Sequence, residues 1–160
     1  MMNFNIELTQ SPEISERSDE ITAIEKLFVE YFNKRNYGND VQNISLKLTI
    51  VNPPAGFEHL FRTLPPKFIH DKLVKNSYTN QMINFKNHFF CSVTIIGDDF
   101  LEFKSLPKAE FRECLIRKIV EGLMAIDKLP KKVKHFDKDR FKMDMKAFFS
   151  PSAQANPNKE

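Results

Sequence analysis

Two short segments of this 160-residue chain alternate strictly between apolar and polar residues, and this alternation constrains the fold most. Asn3 to Thr9 has apolar residues at Phe4, Ile6 and Leu8, and Asn43 to Val51 has them at Ile44, Leu46, Leu48 and Ile50. Successive side chains of a β-strand point to opposite faces, so each segment predicts a strand with one buried face. That face needs a second layer of structure to cover it.

Helical patterns supply the second layer. A first stripe runs from Ile21 to Phe32 and predicts a helix that begins at a Ser18 cap and ends near Asn36. A second lies between Pro107 and Pro130, with apolar residues at Phe111, Cys114, Leu115, Ile119, Leu123 and Ile126. A third helix is predicted to begin at an Asp137 cap and to bury Phe141, Met145 and Phe148.

The segment from Pro54 to Lys86 has no sustained periodicity. We predict only a short strand around Leu60 to Leu64 and another near Gln81 to Phe85. His88 to Ile96 is rich in β-branched and aromatic residues, which favours a further strand. Gly97-Asp98-Asp99 is then predicted to be a turn that leads into a strand containing Leu101 and Phe103.

The order of these elements predicts an α+β fold, with an antiparallel sheet and helices packed on one face. The length fits a single domain, which we place at residues 1–149, followed by a polar, proline-containing tail at 150–160 that we expect to be disordered. With 16 Phe, 3 Tyr and no Trp, the core is predicted to be rich in phenylalanine.

Composition favours a cytoplasmic protein. The opening residues MMNFNIELTQ lack the basic and apolar regions of a secretory signal, and no stretch approaches the roughly 20 apolar residues of a membrane span. The two cysteines, Cys91 and Cys114, are far apart and form no metal-binding motif, so we expect reduced thiols.

The Gly97-Asp98-Asp99 tripeptide is the first candidate for chemistry, because adjacent carboxylates can hold a divalent metal. No second acidic cluster accompanies it, and 4 glycines in the whole chain exclude a glycine-rich phosphate loop. The turn is therefore the favoured interpretation, and no metal or cofactor is expected.

Cysteine catalysis is the second candidate, since Cys91 or Cys114 could pair with one of four histidines, His59, His70, His88 or His135. Neither cysteine lies in a known catalytic motif, and both are predicted to pack among apolar residues. We expect no catalytic residue and no enzymatic activity.

A basic segment, Lys128 to Lys146, is the third candidate, because its lysines could contact phosphates and Phe136 and Phe141 could stack on bases. A solvated loop and helix face is favoured, since three aspartates dilute the charge. A nucleic-acid-binding module nevertheless remains the alternative function.

Three segments together carry a family resemblance: Tyr31 to Pro53, Phe100 to Asp127, and Phe136 to Met145. Their helix exit at Tyr37-Gly38, their strand ending at Asn52-Pro53 and their helix start at Phe136-Asp137 resemble the small α+β immunity proteins of bacterial polymorphic-toxin and contact-dependent growth inhibition systems. The resemblance implies a protein that binds a cognate toxin domain, such as a nuclease, and neutralises it by stoichiometric occlusion. Pro54 to Lys86 carries no motif of that family.

Charge distribution suggests where the toxin would bind. Residues 1–60 contain nine acidic and five basic residues, a net charge of −4, whereas the remainder has 12 acidic and 19 basic residues, a net charge of +7. Immunity proteins that neutralise basic nucleases are commonly acidic, because opposite potentials speed the encounter. We therefore predict toxin contacts at four carboxylates of the acidic third, Glu13, Glu16, Asp19 and Glu20.

Overall fold

A computed structural model describes residues 2–149. Its four strands are β1 (Asn3–Gln10), β2 (Asn43–Val51), β3 (Lys67–Lys75) and β4 (Met82–Ile96). Its four α-helices are α1 (Ser18–Asn33), α2 (Gly97–Lys104), α3 (Lys108–Leu123) and α4 (Lys138–Lys146). Short 3₁₀-helices lie at Pro12–Arg17, Glu58–Phe61, Met124–Lys128 and Ala147–Phe149.

The predicted α+β fold is confirmed, but the prediction of an antiparallel sheet is wrong. The strands lie in the order β1-β2-β4-β3 and form a mixed sheet. β1 pairs with β2 and β2 with β4 in parallel, and only β3 is antiparallel to its neighbour β4. The physical reason is the connection: α1 crosses over between β1 and β2, and a crossover of this kind joins parallel strands.

One face of the sheet is buried beneath the helices. The predicted apolar residues of β2, Ile44 to Ile50, are each no more than 1% exposed. They lie level with Phe89, Cys91, Val93 and Ile95 of β4. Gly122 brings α3 close to this face, since a Cβ atom placed there would lie 2.8 Å from Leu46 Cδ1 and 3.1 Å from Val93 Cβ. We call the opposite side, which none of the four α-helices covers, the open face.

An aromatic cluster joins α1 to α4. The rings of Phe28 and Phe148 stack at 4.0 Å, and Phe32 packs 5.0 Å from Phe141. Tyr37 completes the cluster at 5.2 Å from Phe141. These contacts confirm the phenylalanine-rich core.

The Tyr37-Gly38 exit from α1 is tied directly to the start of α4. Asp137 N–H donates to the Tyr37 carbonyl at 2.7 Å, and the Tyr37 hydroxyl donates to Asp144 Oδ2 at 2.5 Å. Gly38 has a φ of +124°, and a Cβ atom there would lie 1.9 Å from the His135 carbonyl oxygen. This position therefore requires glycine.

Several predicted elements need correction. Gly97-Asp98-Asp99 is not a hairpin turn, because it opens α2, which also contains Leu101 and Phe103. Phe100 and Phe103 are buried at a spacing of three, which is a helical spacing. The strand predicted at Leu60 to Leu64 is replaced by the 3₁₀-helix Glu58–Phe61, and β3 was not predicted.

The predicted helices are confirmed with shifted ends. α1 ends at Asn33, ahead of Asn36, and the 3₁₀-helix Pro12–Arg17 precedes it, so the Ser18 side chain does not cap it. Asp137 caps α4 as predicted, accepting from Arg140 N–H at 3.0 Å.

Cys114 is half-buried rather than part of the buried stripe. The proposed tail at 150–160 lies outside the described residues, and the single domain stays a prediction.

We predict that Leu115→Ala lowers the free energy of unfolding by about 2 to 5 kcal/mol, because removing a fully buried leucine side chain leaves a cavity. Leu115 of α3 is 0% exposed. Urea denaturation measures the change. Glu121→Ala on the exposed side of the same helix is the control, with an expected change below about 1 kcal/mol. Equal effects of the two substitutions would contradict this packing.

Candidate functional site

Exposed large hydrophobic side chains concentrate in one stretch of the chain. Ten such residues occur in the described part, and seven of them lie between residues 57 and 83: Phe57, Leu60, Leu64, Leu73, Tyr78, Met82 and Ile83. Exposed apolar side chains concentrated in one part of a protein are a common feature of protein-interaction sites. This stretch divides into two structures, which we call the arch (residues 53–66) and the ribbon (residues 71–86).

The arch crosses the open face of the sheet and is held there by side chains. Leu64 N–H donates to Ser92 Oγ at 2.8 Å, and Ser92 Oγ donates to the Leu64 carbonyl at 3.1 Å. The hydroxyls of Thr63 and Thr94 share a hydrogen bond of 2.8 Å. Phe57 and Leu60 remain 52% and 62% exposed, so the arch presents apolar groups to solvent instead of burying them.

Two shallow pockets separate the arch from the sheet. They have volumes of about 340 and 250 Å³, and Lys47 and Leu64 line both. Both are open to solvent, and their lining combines hydroxyl, amine and apolar groups. The region therefore offers a wide, uneven contact surface rather than an enclosed cavity.

The ribbon consists of β3 and the first part of β4, and it extends beyond the rest of the sheet. Asn43 at the start of β2 pairs with His88, and the carbonyls of Asn87 and Lys86 accept from Gln42 N–H and Asn43 Nδ2, so only residues 82–85 of β4 have no described partner on the β2 side. At about 3.3 Å per residue, these residues and the turn beyond them project by about 20 Å. In the described part of the chain, β3 makes extensive contacts with β4 and little else.

Both faces of the ribbon carry exposed apolar side chains. Leu73 pairs with Asn84, which places it on the same face as Met82, and these two residues are 61% and 54% exposed. Val74 pairs with Ile83 on the opposite face, where Ile83 is 41% exposed. If the ribbon packed one face against the protein's own core, we would expect its other face to be polar.

The tip of the ribbon is a hydrogen-bonded turn that presents a tyrosine. Asn76 N–H donates to the Gln81 carbonyl at 2.8 Å, and Asn76 Oδ1 accepts from Tyr78 N–H at 2.8 Å. Asn80 adopts the left-handed conformation that closes the turn, with a φ of 58°. Tyr78 is 96% exposed, so a fixed backbone holds an unburied aromatic ring in solvent.

A polar network lies on the open face beside the ribbon. Ser45 Oγ is 2.6 Å from Asn5 Oδ1 and 2.7 Å from His88 Nε2, and the imidazole stacks on Phe90 at 4.0 Å. Burial lowers the pKa of His88, which favours the neutral ring. Within residues 2–149 we find no carboxylate hydrogen-bonded to this imidazole, and the network joins β1, β2 and β4.

The cysteines lie in surroundings unlike those of a nucleophile. Cys91 is 5% exposed on the helix-covered face, and burial raises the pKa of its thiol to about 12. Burial also raises the pKa of Cys114. Activated thiols have a lowered pKa, because the thiolate is the reactive species.

We predict that Cys91 is alkylated by iodoacetamide at pH 8 much more slowly in the native protein than after denaturation, because the buried thiol stays protonated. Its pKa of about 12 lies above the ordinary value of 9.0, so folding keeps the proton on up to high pH. Mass spectrometry of a timed reaction measures the rates, with the half-buried Cys114 as internal comparison. Rapid native alkylation of Cys91 would contradict this prediction.

The four predicted toxin contacts lie on two consecutive elements. Glu13 and Glu16 belong to the 3₁₀-helix Pro12–Arg17, and Asp19 and Glu20 to the first turn of α1. Glu13, Glu16 and Asp19 are exposed, whereas Glu20 is less accessible and lies 3.8 Å from Arg17. Glu13 Oε2 also accepts from Asn52 Nδ2 at 3.3 Å, which places it beside the end of β2 where the arch begins.

The two remaining candidates from the sequence are the Gly97-Asp98-Asp99 metal site and the nucleic-acid surface at Lys128 to Lys146. Asp98 and Asp99 occupy the first turn of α2, where the helix dipole favours negative charge, and no metal-binding cluster was found within the described residues. In the basic segment, Phe136 and Phe141 are 7% and 0% exposed, so neither ring can stack on a base. No described helix is long and apolar enough to cross a membrane.

Comparison with known families identifies the family of the chain. The model of the family Immunity protein 44 matches residues 2–150, so the chain belongs to that family. No significant match was found among curated proteins or among solved structures.

The sequence interpretation missed the arch and most of the ribbon, and it found only the strand near Gln81 to Phe85, which forms the first part of β4. Their alternation is masked because apolar residues lie on both faces of the ribbon, so no period-two pattern separates a buried from an exposed face. The signal that was present is the concentration of apolar residues in a stretch without periodicity, bounded by the proline pair Pro53-Pro54.

Proposed function

We propose that this immunity protein binds a cognate toxin domain, such as a nuclease, and neutralises it by stoichiometric occlusion. The single observation that carries the proposal, beyond family membership, is the concentration of exposed apolar side chains on the arch and the ribbon. Exposure of these apolar side chains to water is unfavourable, and a partner that buried them would gain free energy of binding.

Occlusion requires no catalytic group on this chain. A complex that buries the usual 1,200 to 2,000 Å² in total can cover the substrate groove of a small domain. The arch and ribbon together expose aromatic and aliphatic side chains, which are the residue types enriched in the buried centres of such interfaces.

We also propose that the four carboxylates, Glu13, Glu16, Asp19 and Glu20, make charged contacts at the edge of the complex. Glu13 lies beside Asn52, next to the arch, so the acidic segment and the apolar surface are neighbours. Exposed charges at an interface rim speed the encounter more than they strengthen the final complex. Their alternative role is to favour the start of α1 through the helix dipole.

Protection should require at least one molecule of this protein per toxin molecule, because a bound inhibitor does not turn over. The measurement titrates the toxin domain encoded by the neighbouring gene against purified protein, with toxin activity and complex mass as readouts. We expect activity to reach zero near a 1:1 ratio. Full protection at a small fraction of that ratio would instead indicate catalytic destruction of the toxin or its product.

Charge reversal tests the acidic contacts. We predict that the triple variant Glu13→Lys, Glu16→Lys and Asp19→Lys associates with the toxin about tenfold more slowly at low salt, with little change in dissociation. Stopped-flow mixing measures both rates. Glu20 stays unchanged because its partner Arg17 donates to the Leu106 carbonyl and lies over Phe111, so its loss would disturb packing.

A matched control separates local from global charge. Reversing three exposed acids of α2, Asp98, Asp99 and Glu102, changes the net charge by the same amount on a different element. We expect a smaller effect on association from this control. Equal slowing by both triple variants would show that net charge, not the Glu13 to Asp19 segment, steers the encounter.

A further inference from the structure

We infer that the ribbon inserts into a cleft of the toxin domain, with Tyr78 leading, and that this cleft has an apolar floor and an acidic rim. The inference rests on the proposed function and assigns its contact surface. It places the main contact on the ribbon, whereas the sequence analysis expected toxin contacts in the acidic first third of the chain.

The distribution of apolar residues favours insertion over flat docking. Leu73 and Met82 lie on one face of the ribbon and Ile83 on the other. A partner that lay against one face would leave the apolar groups of the second face in water. A partner that encloses the ribbon covers both, and the projection of about 20 Å gives the ribbon enough reach.

The tip is ready to bind without further ordering. The Asn76 side chain accepts from Tyr78 N–H at 2.8 Å and from Thr79 N–H at 3.3 Å, so the turn holds its conformation in the free protein. A preordered loop loses less conformational entropy on binding. Tyrosine is enriched among the residues that contribute most to interfaces, because its large ring has few rotatable bonds.

The charge of the ribbon defines the partner. Residues 71–86 contain Lys72, Lys75 and Lys86 but one acid, Asp71, which gives a net charge of +2. Complementary potentials across an interface require carboxylates on the opposing surface. We therefore assign an acidic rim to the toxin cleft.

The same charges argue against a second copy of this chain as the occupant. Two ribbons packed against each other would bring six lysines together with two aspartates. Like charges placed opposite one another across paired strands are destabilising. Self-association through the ribbon is therefore disfavoured, and the toxin domain is the occupant that fits.

Three ribbon variants test the assignment against the toxin domain encoded by the neighbouring gene. They are Tyr78→Ala at the tip, the pair Leu73→Ser and Ile83→Ser on the two faces, and the pair Lys72→Glu and Lys75→Glu. Isothermal titration calorimetry on the full chain measures affinity. We expect Tyr78→Ala to weaken binding about 30-fold or more, which is the effect typical of a central interface residue.

Met143→Ala is the matched control. Met143 is 68% exposed on α4, so the substitution also removes an exposed apolar side chain, but away from the ribbon. We expect less than about a threefold change in affinity. Thermal unfolding of each variant shows whether the fold is kept, and Tyr78→Ala serves as the main test because its side chain makes few contacts in the free protein.

The outcomes separate the inference from the function on which it rests. If wild-type protein binds and all three ribbon variants bind equally well, the inference is overturned and the proposed function stands. If wild-type protein neither binds nor protects, both fall. If Tyr78→Ala dissociates a dimer of the free protein, the ribbon covers a second copy, and the assignment of the toxin as occupant is wrong.

Discussion

The structure depends on the close approach of α3 to one face of the sheet. Gly122 allows it, because a Cβ atom there would lie 2.8 Å from Leu46 Cδ1 and 3.1 Å from Val93 Cβ. The helices then gather on this face, and β2 buries its apolar residues against them. The other face carries polar residues such as Ser45 and Thr49, which are only 9% and 4% exposed, and Ser45 is hydrogen-bonded within that face to Asn5 and His88.

Because the helices pack on one face of the sheet, the exposed apolar residues of the arch and ribbon lie outside the core. The core is already complete without the arch and the ribbon, since the buried cluster draws on β1, β2, β4 and the helices, with Phe68 packed at its edge. Apolar residues of the ribbon therefore contribute little to folding and remain exposed. Their exposure on a projecting element is the observation on which the proposed binding surface rests.

The residues that carry the family resemblance have structural roles. Tyr37 binds both Asp137 and Asp144, and Gly38 passes so close to His135 that no side chain fits. These contacts hold α4 against α1. They explain why the sequence revealed the family without revealing the binding surface, because a shared scaffold can present different contact residues.

Periodicity decided how much could be predicted. β1 and α3 each bury one face, and β2 alternates apolar with polar residues although both of its faces are largely buried, so patterns of two or about 3.6 residues were clear in the sequence. Gly97 was misread because a positive φ, here +62°, fits a turn as well as an entry to a helix. The parallel pairing depends on the crossover of α1, and the ribbon carries apolar residues on both faces, so neither follows from local pattern.

Hydrogen–deuterium exchange of the complex tests the central claim most directly, because it reports which amides the toxin domain covers. β3 is an edge strand whose outward amides have no partner within the sheet. The account predicts that protection on binding is strongest in residues 71–86, includes the arch, and leaves the exposed side of α3 unchanged. Protection confined to the helices, with unchanged exchange in the ribbon, would contradict it.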